Sequence, residues 1–285
     1  MSKYILCQVK KAELPYYIEN ISTNIYSIEE LCFYFYHNIY LLDETIINEE
    51  LCFWIRDELG LRKLAQRMYS LLDDPKKVGD FILLVFKEIN YLSMDEFRKL
   101  NQQIQQLAEE PLLLRQKIKG DYLMGHGKLV NAINVYQKVL HDKLEVKQGE
   151  EDHLGTQFIG EIYHNMGVAY ARLFQMEEAV HCFGKAYSCM RTTASIRNYL
   201  YAVYLDKGIA AMASTAADLD VDDDITFETL AAIELAASEV LETPEGQMYA
   251  KAMECKAEGN LEEYHRILDQ VIADLTKEYH RSTGY

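Results

Sequence analysis

Apolar residues recur through most of this chain three and four positions apart, the period of a helix that buries one face. The run Leu31 to Leu42, LCFYFYHNIYLL, is apolar on nearly every side. Such a helix belongs in the middle of its domain. Ser27 with Glu30 three residues on forms a capping box ahead of it, predicting a helix from Ile28 to about Leu42. Asn48 is placed to cap a helix over 49–59 that carries Trp54, and Gly60 ends it as a residue tolerant of positive φ. Further helices are predicted over 61–72, over 76–91 behind Asp74-Pro75, and over 94–108 behind a second box, Ser93 with Glu96. Ahead of all these, residues 4–9 and 16–25 are rich in β-branched and aromatic side chains, which allows a small hairpin.

Glu109-Glu110-Pro111 marks an expected boundary, because proline starts helices but rarely sits inside them. Beyond it the pattern turns into helical pairs. Within 160–193, Tyr163, Met166, Gly167, Tyr170, Ala179, Phe183 and Ala186 stand at positions where two antiparallel helices would touch. Small residues at Gly167 and Ala179 let the pair approach closely, and Ala186 leaves room for the next pair. Upstream, Gly120, Leu123, Ala132, Tyr136 and Val139 repeat the spacing, with Gly127-Lys128 as the turn between helices. Gly120 and Gly167 are farther apart than one period of about 34 residues, and the excess falls in the charged stretch 144–157. A less complete unit offers Ile196, Leu200 and Tyr204, a turn at Lys207-Gly208, and then alanine-rich 209–217.

These positions resemble the signature of the tetratricopeptide repeat superfamily. The resemblance implies an all-α fold of two parts. Residues 1–110 would form an N-terminal helical domain with room for the small hairpin. Residues 111–285 would form a short α-α superhelical array, with repeats near 113–146 and 160–193, an incomplete one at 194–217 and a degenerate one at 245–280. The last helix, expected over 261–280 behind Gly259-Asn260, would serve as an end cap, which such arrays need.

The resemblance also implies where a partner would sit. Members of the superfamily commonly hold peptide segments on the concave face lined by the first helix of each pair. Here that face would carry Lys117, Asp121, Met124, Glu161, His164, Asn165, Val168 and Arg172. One subset of the superfamily grips a C-terminal carboxylate with a lysine and asparagines. Lys117 and Asn165 match that pattern, whereas Asp121 stands where an asparagine is needed and would repel a carboxylate. The third-repeat basic positions fall on Ser195 and Tyr199, with Arg197 close by. The same residues also fit the solvated face of stacked helices.

Composition and charge then narrow the functional classes. A formal charge of −16 opposes a general nucleic-acid surface. Residues 1–110 alone carry 12 basic and 18 acidic side chains, against a DNA-reading helix-turn-helix. No stretch approaches the roughly 20 apolar residues of a membrane span, and the start has too short an apolar run for a signal-peptide core, so the expected location is the cytoplasm. Six cysteines lie scattered without a C-x-x-C pair and read as reduced core residues, while 21 tyrosines at helical spacing read as packing.

Two Glu-x-x-His pairs, Glu161/His164 and Glu178/His181, invite comparison with di-iron bundles. The repeat register sets them on opposite sides, so they are not expected to converge. In DLDVDDD, 218–224, a calcium loop would need glycine where Asp223 stands and glutamate where Thr229 stands, so an acidic linker is expected, with Asp224 or Thr226 capping the next helix. No phosphate loop or nucleophile elbow occurs. The expected function is a non-enzymatic scaffold or adaptor for a protein or peptide, with no cofactor. The alternative is a peptide-responsive regulator whose N-terminal domain is the effector, and more remotely a metal-dependent enzyme.

Overall fold

A computed structural model describes residues 9–43, 45–72, 78–145 and 155–283. The β-rich run at 4–8, Cys7, the Asp74-Pro75 cap and most of the charged insert lie outside the described residues. The fold is all-α, with fourteen helices among the described residues and one two-stranded hairpin. The chain divides into two compact units, one reaching Tyr122 and one beginning at Leu123.

The first unit opens with the hairpin: β1, Tyr16–Ile18, pairs antiparallel with β2, Thr23–Ile25. The strands turn through a 3-10 segment, Glu19–Ile21, closed by Ser22 in the left-handed region at φ 51°. The hairpin and the segment before it are stitched to α2, Glu49–Asp57. Trp54 Nε1 donates to the Leu14 carbonyl at 2.8 Å, and Glu58 accepts from the Glu13 and Leu14 amides at 3.1 Å. Asn48 caps α2 by accepting from the Leu51 amide at 2.8 Å.

The apolar helix α1 runs Ile28–His37 behind the expected capping box, and it stops short of Leu42. Asn38 ends it, donating both its backbone N–H and its side-chain amide to the Tyr34 carbonyl, and a 3-10 turn, Ile39–Leu41, follows. Its burial is also less complete than the run of apolar residues suggests. Ile28, Leu31, Cys32 and Phe35 are fully buried, while Phe33 is exposed and lies 4.2 Å from the His37 ring. Helix α3, Arg62–Tyr69, is likewise shorter than 61–72, tightening beyond it into turns in which the Leu71 and Leu72 amides donate to the Met68 and Tyr69 carbonyls.

Helix α4, Val78–Ile89, supplies Phe81, Ile82, Val85 and Phe86 to the core, and α5, Met94–Glu109, starts on the Ser93/Glu96 box. Pro111 separates α5 from α6, Leu112–Gly125. The unit division nevertheless falls inside α6, and two bonds explain why its earlier turns belong to the first unit. Lys119 Nζ meets Asp43 at 2.6 Å, and the Tyr122 hydroxyl donates to the His37 carbonyl at 2.8 Å.

The second unit continues with α7, Leu129–Glu145, α8, Thr156–Arg172, and α9, Met176–Met190. Then come α10, Thr193–Lys207, α11, Ile209–Asp218, α12, Asp223–Glu242, α13, Pro244–Ala257, and α14, Leu261–Thr283. Gly127, Gly208 and Gly259 turn the chain between successive helices at φ 71°, 81° and 79°. The close approach expected at Gly167 is real: a Cβ there would stand 2.9 Å from the Phe183 ring. Ala132, Tyr136, Val139, Ala179 and Ala186 are all buried to 1% exposure or less.

The acidic linker proves much shorter than 218–224. Asp218 ends α11, and Asp222, rather than Asp224 or Thr226, caps α12 by accepting from the Asp224 amide at 2.8 Å. Asp223 and Asp224 occupy the first turn, where the helix N-terminus favours negative charge. Leu219 and Val221 between them pack on the core of the unit.

Candidate functional site

The residues assigned to a binding face fall in both units, so each group stands by itself. In the first unit, Lys117 and Asp121 lie one turn apart on α6 and pair at 2.9 Å, with the lysine side chain 13% exposed. The ammonium expected to meet a partner's carboxylate already meets one of its own chain. Met124, three residues on, is half-buried in the second unit.

Glu161, His164, Asn165, Val168 and Arg172 share one side of α8, as their spacing requires. The neighbouring helices claim most of them. Asn165 donates to the hydroxyl of fully buried Tyr136 on α7 at 3.3 Å. His164 Nδ1 faces the Asn198 amide of α10 at 3.5 Å, and its ring lies edge-on to Phe183 at 5.6 Å. Burial holds the His164 pKa below the ordinary value of 6.5, so the imidazole is neutral at neutral pH. Val168 packs on the cluster of Ala179, Phe183 and Ala202. Glu161 accepts from Gln157 at 3.2 Å and is half-buried, while Arg172 is exposed at the C-terminal end of the helix. The face therefore binds its own neighbours through its middle and presents charge at its ends.

The three third-repeat positions are likewise structural. Ser195 is buried, forming a capping box with Thr192, and Tyr199 lies over Gly184. Arg197 pairs with Glu228 of α12.

The second Glu-x-x-His pair, Glu178 and His181, is exposed on α9. Among the described residues no group of three or more His, Cys, Asp or Glu side chains is arranged to hold a metal ion. Cys32, Cys52 and Cys182 are buried, and burial pushes the thiols of Cys52 and Cys182 up to about 11, which makes them poor nucleophiles. Cys189 and Cys255 are only half-buried.

One groove was not read from the sequence. Along α9 a cavity of about 440 Å³ is lined by His181, Lys185, Tyr187, Arg191, Tyr199 and Leu219. Gly184 also lines it, and Arg191 stands in the left-handed region at φ 52° with its guanidinium over Tyr187. Helical spacing alone places Val180, Gly184 and Tyr187 on one side of α9. What the pattern does not contain is the arrival of Leu219 from the end of α11.

No protein-family model, curated protein or solved structure matches the chain. No helix among the described residues is long and apolar enough to cross a membrane.

Proposed function

We propose that this chain is a protein–protein interaction scaffold or adaptor, non-enzymatic and cytoplasmic, built on a tetratricopeptide-like array. A peptide or protein segment is held by the first-helix side of its repeats. One observation carries the reading: polar bonds tie each helix pair to the next. Gln137 of α7 donates to the Tyr170 hydroxyl of α8, and His164 of α8 faces Asn198 of α10, one repeat's distance on. A repeat stack joined in this way lengthens a binding surface without needing a closed pocket. The charged ends of the α8 face, Glu161 and Arg172, are where a partner would gain orientation.

Panning a random peptide library over the immobilised full chain tests this. The expected outcome is a convergent motif whose affinity falls about tenfold in the Glu161→Lys/Arg172→Glu double variant. Binders without a common motif, or binders indifferent to that variant, would count against it.

A further inference from the structure

Helix α12 is apolar on two sides, and its neighbours use one of them. On the inner side, Ile225, Leu230 and Ile233 pack against the core cluster of Ile196, Leu200, Val203, Met212 and Ala216. Among the described residues of this 20-residue helix, Thr229 alone is buried. On the outer side, Phe227, Ala231, Leu235, Ser238 and Leu241 recur every three to four residues and so form one stripe. Phe227 is 73% exposed, Leu235 60% and Leu241 53%. Large apolar side chains left in water along one side of a well-formed helix mark an interaction surface.

Charge specifies the occupant. From Asp222 to Glu242 the chain has seven acidic residues and no lysine or arginine. The imbalance extends onward: residues 222–283 hold fifteen acidic and five basic side chains. On the helix, Glu239 lies along one edge of the stripe beside Glu228, which pairs with Arg197, while Glu234 lies within the stripe between Phe227 and Leu241, and all three glutamates are exposed. We propose that the outer face of α12 docks an amphipathic helix of a partner protein, one whose apolar stripe is flanked by lysine and arginine. Its apolar residues would cover Phe227, Leu235 and Leu241, while its cations would face Glu239 at the edge and Glu234 within the stripe. A second copy of α12 would set carboxylate against carboxylate, and an anionic membrane surface would be repelled. The surface is separate from the α8 face and does not depend on what that face binds.

The test uses the full chain and a fluorescein-labelled synthetic peptide of about 15 residues, the length of the stripe. The peptide is patterned with leucine on one face and lysine on the other, and its twin has glutamate in place of lysine. Fluorescence anisotropy should show the lysine peptide binding at least about tenfold more tightly than its twin, with affinity falling as salt rises. The Phe227→Ser/Leu235→Ser double variant keeps every charge and should lose about tenfold in affinity with its helical circular dichroism unchanged. Equal binding of the twins overturns the proposal, as does absence of binding. Full binding by the double variant also overturns it, since that is general attraction of a cation to an acidic chain. A dimer in sedimentation that the same variant abolishes would make a second copy the occupant and would equally overturn it.

Discussion

Helices α8 and α12 are comparable in length and equally regular, yet they live in opposite surroundings. In α8, Phe158, Gly160, Ile162, Met166, Gly167 and Ala169 are buried, whereas in α12 only Thr229 is, among the described residues. The difference lies in the neighbours. Gly160 and Gly167 let Met190 and Phe183 of α9 settle onto the helix, and a neighbour on each side completes the burial. In α12 the alanines at 231, 232, 236 and 237 would permit the same approach, but no helix among the described residues covers its outer side. Small residues thus record how close a neighbour could come, and only the packing shows whether one has.

The sharpest contrast between buried and bare helices comes from leucine. Leu200 of α10 is fully buried in the core cluster that also receives α12. Leu200→Ala should cost about 3 kcal/mol in urea unfolding, because lost transfer energy and the cavity left behind add. Leu235→Ala on the outer stripe should change stability by no more than about 0.5 kcal/mol. If the two costs were similar, the outer stripe of α12 would be covered within the chain and the contrast would collapse.

The next effect concerns close approach itself. Replacing a helical glycine normally gains helix propensity, about 1 kcal/mol for alanine and less for valine. At Gly167 the added atoms would meet the Phe183 ring at 2.9 Å, and Phe183 is itself 7% exposed with little room to retreat. Gly167→Val should therefore destabilise by about 2 kcal/mol, overpacking outweighing propensity. Ala232→Val on exposed α12 should show only the small propensity difference. Thermal unfolding of the two variants side by side would check the sign as well as the size.

The same residues explain what was legible in the sequence. Capping boxes at Ser27 and Ser93 and the glycine turns are local, and each occurs where the sequence places it. Close packing at Gly167, Ala179 and Ala186 was legible for a related reason, since a missing side chain shows in the sequence as directly as a present one. Three other features were not. The early end of α1 depends on the Asn38 side chain choosing the Tyr34 carbonyl over solvent. The division inside α6 depends on Lys119 finding Asp43 across 76 residues. The candidate site was legible only as a set of positions on α8. Helical spacing gave their shared side, but not that Tyr136 and Asn198 would take up Asn165 and His164.

Helix caps give a smaller and more even test. Thr192 caps α10 and Asp222 caps α12, each accepting a backbone N–H of the first turn. Either residue changed to alanine should cost about 1 kcal/mol, because the cap energy is local. Equal costs would show that α12 is as firmly started as α10 and that its bare outer side is not fraying. A negligible cost at Asp222 would instead mark α12 as weakly held.

The smallest effect is electrostatic, and it separates the middle of the α8 face from its end. Desolvation lowers the His164 pKa from 6.5 in the folded chain. Between that lowered value and 6.5 the unfolded chain binds a proton that the folded chain does not, so unfolding takes up protons and stability rises with pH there. The contribution is fully present above 6.5 and is lost as pH falls through the folded value. His164→Gln, which can still hydrogen-bond Asn198, should remove that slope from the pH profile of the urea midpoint and leave the plateau above neutral pH nearly unchanged. Arg172→Gln at the exposed end should leave the slope intact. If instead His164→Gln kept the slope, the imidazole would be titrating in water. The His164–Asn198 bond joining α8 to α10 would then be too weak to tie one helix pair to the next.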